Sequence, residues 1–175
     1  MRATQTCNYA PDSTLADLFL LRHGIAEDQA GHQSDTERGL TSTGRQQVLA
    51  MAQRLRDLGF RADRLLSSPY RRARETAEIA VLAGLADRVE LEGKLTPGRD
   101  CVPLLVKCCT RWLFVGHEPD LSRLAARLIG ANVGCLTIRK AGFAHLHWTV
   151  SEVNPCGSAV LMVLLQPRML LSDSV

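Results

Sequence analysis

Apolar runs in this chain are short, and polar residues close each one abruptly. "LFLL" (18–21) ends in Arg22-His23-Gly24, "WLFVG" (112–116) ends in His117, and "AVLMVLL" occupies 159–165. Four or more apolar residues in succession, without helical spacing, predict strands of a sheet covered on both faces. "DRLLSS" (63–68), "RVELE" (88–92) and "FAHLHWTV" (143–150) read as further strands. Between these runs the apolar period lengthens to three and four. Val48, Met51, Leu55 and Leu58 mark one face of a helix over about 41–58, with Thr41 to cap it and Gly59 to end it. Ser68 is expected to cap a second helix with Pro69 at its first position, continuing through Ala73, Ala77, Ile79 and Ala80 to Gly84. A third helix is expected at 100–109. A fourth carries Leu121, Leu124, Ala125 and Leu128 on one face, with Gly130 beyond its end. Strands alternating with amphipathic helices predict an α/β domain with a largely parallel sheet. The expected organisation is a flexible tail at 1–16, one domain over 17–166 and a C-terminal tail at 167–175.

Composition narrows this picture modestly. A chain of 175 residues suits one core rather than two. The net charge of +3 argues against bulk nucleic-acid binding. Arginine outnumbers lysine 18 to 3, which either hints at anion recognition or reflects compositional bias. The six cysteines follow no CxxC or zinc-ribbon spacing. No secretory segment and no membrane-length apolar run is legible, so the expectation is a cytoplasmic protein with reduced thiols and no membrane partner.

The chemistry gathers at strand ends. Ligands of open α/β sheets bind beyond the carboxyl ends of the strands. His23 lies just past the first strand and His117 just past the fourth, so parallel strands would bring both imidazoles to one sheet edge. His117 also stands ahead of a helix, where unpaired N–H groups favour an anion. "SSPYRRARET" (67–76) puts Arg71 and Arg72 in the first turn of a helix that follows a strand, reaching the same edge. Arg22, Arg72 and the amides at the helix starts could therefore converge on one tetrahedral dianion, with Arg38 contributed by the 24–39 loop. Taken singly, each of these residues reads equally as an exposed or ion-paired side chain; the joint pattern does not.

"LRHG", "RGLTSTGRQQ", "SSPYRRARET" and "FVGHEPDLS", in that order over roughly 17–165, resemble the histidine phosphatase superfamily, and within it the SixA-type phosphohistidine phosphatase branch. The resemblance implies a three-layer α/β sandwich with a mostly parallel central sheet flanked by helices. It implies His23 as a nucleophile that forms a phosphohistidine, with Arg22, Arg72 and His117 as catalytic, phosphate-binding partners and Arg38 as an additional phosphate-binding loop arginine. Gly39 stands where that branch has proline, which frees the loop around Arg38. Neither a metal nor another cofactor is implied. The expected partner is a histidine-phosphorylated protein domain, with inorganic phosphate as product.

One family feature is missing. Alkoxide leaving groups need a proton donor, and many relatives supply a glutamate in an L-x-E segment. The corresponding "KLTPGRD" (94–100) has Thr96 and Pro97 there, as the SixA-type branch does. Imidazole leaves more readily than an alkoxide, which favours a phosphohistidine substrate. Asp100, Glu118 and Glu27 are the possible substitute acids. A small phosphoramidate or phosphomonoester substrate, and a weakly catalytic phosphate-binding module, are the alternative readings.

The remaining candidates read as structural. His145 and His147 share one face of a strand with no third ligand at a recognisable spacing, so a polar outer face on an edge strand is expected. Cys108 and Cys109 read as buried thiols of a helix face, and His32 as a loop residue.

Overall fold

The computed structural model describes residues 15–30, 34–105, 110–149 and 156–171. Six strands form one sheet: β1 (Leu15–Arg22), β2 (Arg64–Ser67), β3 (Val89–Leu91), β4 (Arg111–Gly116), β5 (Phe143–Thr149) and β6 (Ala159–Leu165), in the order β3-β2-β4-β1-β5-β6. β1 pairs with β4 in parallel and with β5 antiparallel, and β5 pairs antiparallel with β6, so β5 alone runs against the others. The apolar run of β1 is explained by this position: it lies inside the sheet with both faces covered.

Alternation along the strands divides the core in two. Leu18 and Leu20 join Trp112, Phe114, Leu146 and Trp148 on the face covered by α4 (Asp120–Leu128). Phe19 and Leu21 join Leu65, Leu113, Val115 and Phe143 on the face covered by α1 (Ser42–Asp57) and α2 (Arg71–Leu82). The result is the three-layer sandwich expected.

The first helix follows the sequence closely. The Thr41 hydroxyl accepts from the Gly44 N–H, Leu58 ends the helix, and Gly59 takes φ +88°. Gly44 has a second duty: a Cβ there would stand 2.1 Å from the Ile25 carbonyl oxygen, a backbone atom that cannot swing aside. Gly44→Ala is expected to destabilise the protein by about 1–3 kcal/mol in a urea titration. Activity should fall with it, because Ile25 lies two residues beyond His23. An unchanged midpoint would show that α1 can slide off this loop freely.

Three expectations need correction. Ser68 does not cap α2: Tyr70 is the N-cap and the helix begins at Arg71. The Ser68 hydroxyl instead accepts from the Tyr70 N–H at 3.3 Å within the preceding turn. His145 and His147 are not on an edge strand, since β5 lies between β1 and β6. They also have a third partner, Asp17 of β1, which along-chain spacing could not reveal because the contact crosses strands. The outer boundaries shift as well. β1 begins at Leu15, and Pro167–Leu170 form a helical turn, α5, whose Leu170 packs on the core. The third helix, α3, is described only over Val102–Leu105. Residues 106–109, with Cys108 and Cys109, and His32 lie outside the described residues, as does most of the expected N-terminal tail.

Candidate active site

Parallel register builds the site. Arg22 of β1 is level with Gly116 of β4, so His23 and His117 leave the sheet at the same height. The His23 N–H donates to the Gly116 carbonyl at 3.1 Å, the Ser68 N–H donates to the Val115 carbonyl at 3.0 Å, and the imidazole centroids lie 5.1 Å apart. Three adjacent parallel strands thus deliver His23, Ser68 and His117 to one edge.

From α2 comes Arg72, its side chain 7% exposed. Its guanidinium lies over the Tyr70 ring, and that ring meets His117 edge-on with centroids 5.2 Å apart. Thr76 ties α2 to the loop that follows His23, accepting from the Gly24 N–H at 3.2 Å and donating to the Arg72 carbonyl at 2.7 Å. Arg71 turns outward to Glu75 at 2.9 Å. Glu75 also accepts the Leu40 N–H at 2.7 Å, which holds the end of the 24–39 loop against α2.

Arg38 reaches the same region through a residue that the pattern of basic side chains had not singled out. Its Nη1 donates to Asp35 Oδ1 at 2.7 Å, while Arg72 Nη2 donates to Asp35 Oδ2 at 2.9 Å. Arg72 Nη1 also donates to the Asp35 carbonyl at 2.7 Å. Burial alone would raise the Asp35 pKa, but the hydrogen bonds and charges of the two arginines outweigh it and hold the carboxyl below its usual range. One carboxylate therefore fixes both guanidinium planes. Ser68, read from sequence only as a helix cap, sends its hydroxyl to within 2.9 Å of His117 Nε2. Its place just past β2 was the signal available. For Asp35 there was only its spacing, three residues before Arg38.

The imidazoles are neutral for a physical reason. Burial first, and the neighbouring His117, Arg72 and Arg22 charges after it, push His23 down to about 3. Burial and then Arg72 push His117 down to about 3. The unfolded chain binds a proton at each histidine near 6.5, whereas the folded chain does so only near 3. Between those values the unfolded state holds more protons, so stability is unaffected above pH 6.5 and is lost as pH falls toward 3. Urea titrations at a series of pH values should show a smaller acid loss in His117→Asn than in the native chain; equal losses would contradict burial of a neutral His117.

His23 Nδ1 lies 2.7 Å from the Gly24 carbonyl oxygen. A carbonyl only accepts, so Nδ1 carries the proton and the lone pair is on Nε2. Arg22 Nη1 donates to the Ile138 carbonyl at 3.1 Å. Two other polar atoms here, Arg22 Nε and His117 Nδ1, are buried with no hydrogen-bond partner among the described residues. Buried polar atoms of this kind are ordinarily satisfied by water or a bound group.

Of the possible substitute acids, Asp100 turns away to the Val102 N–H and to Arg127, both at 3.1 Å. Glu27 accepts the Gly39 N–H at 3.2 Å. Glu118 stays near the site: burial raises its pKa, and the hydroxyl of Ser122, donating at 2.6 Å, and the Arg22 charge oppose that rise. A cavity of about 350 Å³ adjoins Arg22, and Arg139, Lys140, Arg168 and Gln47 also line it. Its rim is strongly basic. No helix among the described residues is long and apolar enough to cross a membrane.

Residues 18–96 match the histidine phosphatase superfamily (branch 1). An uncharacterised protein of Picosynechococcus sp. is 33% identical over 164 residues, covering 89% of this chain and 99% of that one. The phosphohistidine phosphatase SixA of Escherichia coli is 27% identical over 154 residues, covering 78% of this chain and 94% of that one. Among solved structures, the protein histidine phosphatase SixA complexed with tungstate matches with a TM-score of 0.74 and 26% identity, covering 89% of this chain and 99% of that one.

Proposed function

The chain belongs to the histidine phosphatase superfamily and is a phosphatase, and we propose that it hydrolyses phosphohistidine on a signalling protein through a phosphohistidine of its own. The observation that carries this is the state of His23: buried, neutral, with Nδ1–H tied to the Gly24 carbonyl and Nε2 left as the nucleophile. Nε2 attacks phosphorus in line as the substrate's P–N bond breaks. The departing imidazole, protonated at its other ring nitrogen, leaves as the neutral ring. Water then attacks phosphorus, releasing phosphate and restoring Nε2.

Phosphoryl transfer asks the protein chiefly for positioning and charge. Arg22 and Arg72 supply charge-assisted donors to the equatorial oxygens, with Arg38 held beside Arg72 by Asp35. A Ser68 hydroxyl donating to His117 Nε2 would leave the His117 proton on Nδ1, the partnerless atom, as the ring's donor. Likeness to a structure that held tungstate, a tetrahedral oxyanion, supports the same pocket chemistry. The basic cavity beside Arg22 suits a protein partner with acidic residues around its phosphohistidine. A cytoplasmic setting, where thiols stay reduced, goes with this role.

A second reading, a phosphomonoester or small phosphoramidate substrate, is favoured by one observation: Glu118, a half-buried carboxyl with a raised pKa near Arg22, could donate a proton. A side-by-side assay of a phosphohistidine protein, phosphoramidate and an aryl phosphate separates the two. Fast turnover of the protein substrate, slow turnover of the aryl phosphate and acid-labile phosphate trapped on the enzyme are expected. Equal turnover of the aryl phosphate, lost in Glu118→Gln, would replace the first reading by the second.

A further inference from the structure

At the opposite end of β1 from His23, three side chains converge that the phosphatase chemistry does not use. His145 and His147 stand two apart on β5 and so share a face. Asp17 is directly opposite His147 in the β1–β5 register and diagonal to His145. His145 Nε2 and His147 Nδ1 each lie 2.8 Å from the same oxygen, Asp17 Oδ1. One ligand atom from each of the three residues falls within 4.8 Å of the others, the one such group among the described residues.

We propose that Asp17, His145 and His147 bind one divalent first-row transition-metal ion, with Zn²⁺ as its probe. Bonds of roughly 2.0–2.2 Å to two imidazole nitrogens and a carboxylate oxygen place each nitrogen about 3.3–3.4 Å from that oxygen, slightly more than the present 2.8 Å. Two imidazoles and one carboxylate suit zinc, iron, nickel or copper better than magnesium or calcium. Metal entry replaces two N–H···O bonds by two metal–nitrogen bonds and one metal–oxygen bond. On each ring the proton facing Asp17 gives way to one on the other nitrogen, and no electron is transferred.

The surroundings favour the site. Phe19 and Phe60 meet the His145 ring edge-on, with centroids at 5.0 and 5.7 Å, and hold its plane. Arg111, the cation level with Asp17 on β4, is engaged by Asp63 at 2.9 Å. The side chain of His147 is 37% exposed and that of Asp17 27%, leaving room for water to complete the coordination. His23 is six residues along β1, about 20 Å away, so the site is independent of the phosphatase pocket and of the function proposed for it.

The test is Zn²⁺ calorimetry and thermal melting on the full chain, stripped of metal by chelator, for the native protein and for Asp17→Asn, His147→Ala and His23→Ala. One ion per chain and a raised melting temperature are expected for the native protein and for His23→Ala. Affinity should fall by on the order of 100-fold or more in Asp17→Asn and His147→Ala. His147, the most exposed of the three, can be removed without opening the core, and melting of the metal-free variants checks this directly. A native chain that takes up no zinc at roughly 100-fold excess overturns the proposal, as does zinc binding unchanged in both variants. The cluster is then a hydrogen-bonded clamp between β1 and β5.

Discussion

His23→Ala is expected to remove hydrolysis of a phosphohistidine protein to below detection and to leave no acid-labile phosphate on the enzyme, while the melting temperature stays close to that of the native chain. The loss is large because the covalent route needs a nucleophile, and the other buried imidazole at this edge, His117, has its Nε2 engaged by the Ser68 hydroxyl. The donors that remain can hold phosphate, but orientation and charge alone leave only about 10³–10⁴-fold over water. The fold survives because the His23 backbone keeps its bonds to Gly116 and Ala141, and the ring's hydrogen bond among the described residues is to the neighbouring Gly24 carbonyl. Rapid-quench assay with near-ultraviolet circular dichroism checks both halves. Native-like turnover in this variant would sink the covalent mechanism.

Arg72→Ala comes next in size, with kcat/KM lowered by about 10²–10³-fold. Its guanidinium is almost wholly buried and held in plane by two bonds to Asp35 and by the Tyr70 ring. A donor so preorganised needs no rearrangement when charge spreads over the phosphoryl oxygens. Arg72→Lys should recover only part of the loss, since an ammonium cannot span the Asp35 carbonyl and carboxylate while also reaching phosphate. Steady-state kinetics on the protein substrate measures this, and full rescue by lysine would reduce Arg72 to a point charge.

Much of this molecule was readable before any coordinates. The alternating apolar runs, the Thr41 cap and the Gly59, Gly84 and Gly130 stops report local geometry, and local geometry is what short-range patterning encodes. The strand ends at Arg22 and Gly116 also predicted that His23 and His117 would meet, because parallel strands have only one carboxyl edge. Asp35 was harder. An acidic residue in a loop has no period, and it becomes meaningful only when α2 and the loop bring Arg72 and Arg38 to its two oxygens. Ser68 was misassigned for a related reason: Ser-Pro before a helical pattern is a sound capping signal, but the turn through Tyr70 delays the helix and frees the hydroxyl for His117.

The sequence by itself determined the secondary elements, the α/β class, and which histidines and arginines stand at strand ends, since each follows from spacing along the chain. Only the tertiary structure decided the rest. It assigned the His23 proton through Gly24, lowered both histidine pKa values by burial, joined two arginines through Asp35, and brought Asp17 across from β1 to His145 and His147. These depend on distances between residues far apart in the chain, and on how much water each is denied, quantities that periodicity does not carry.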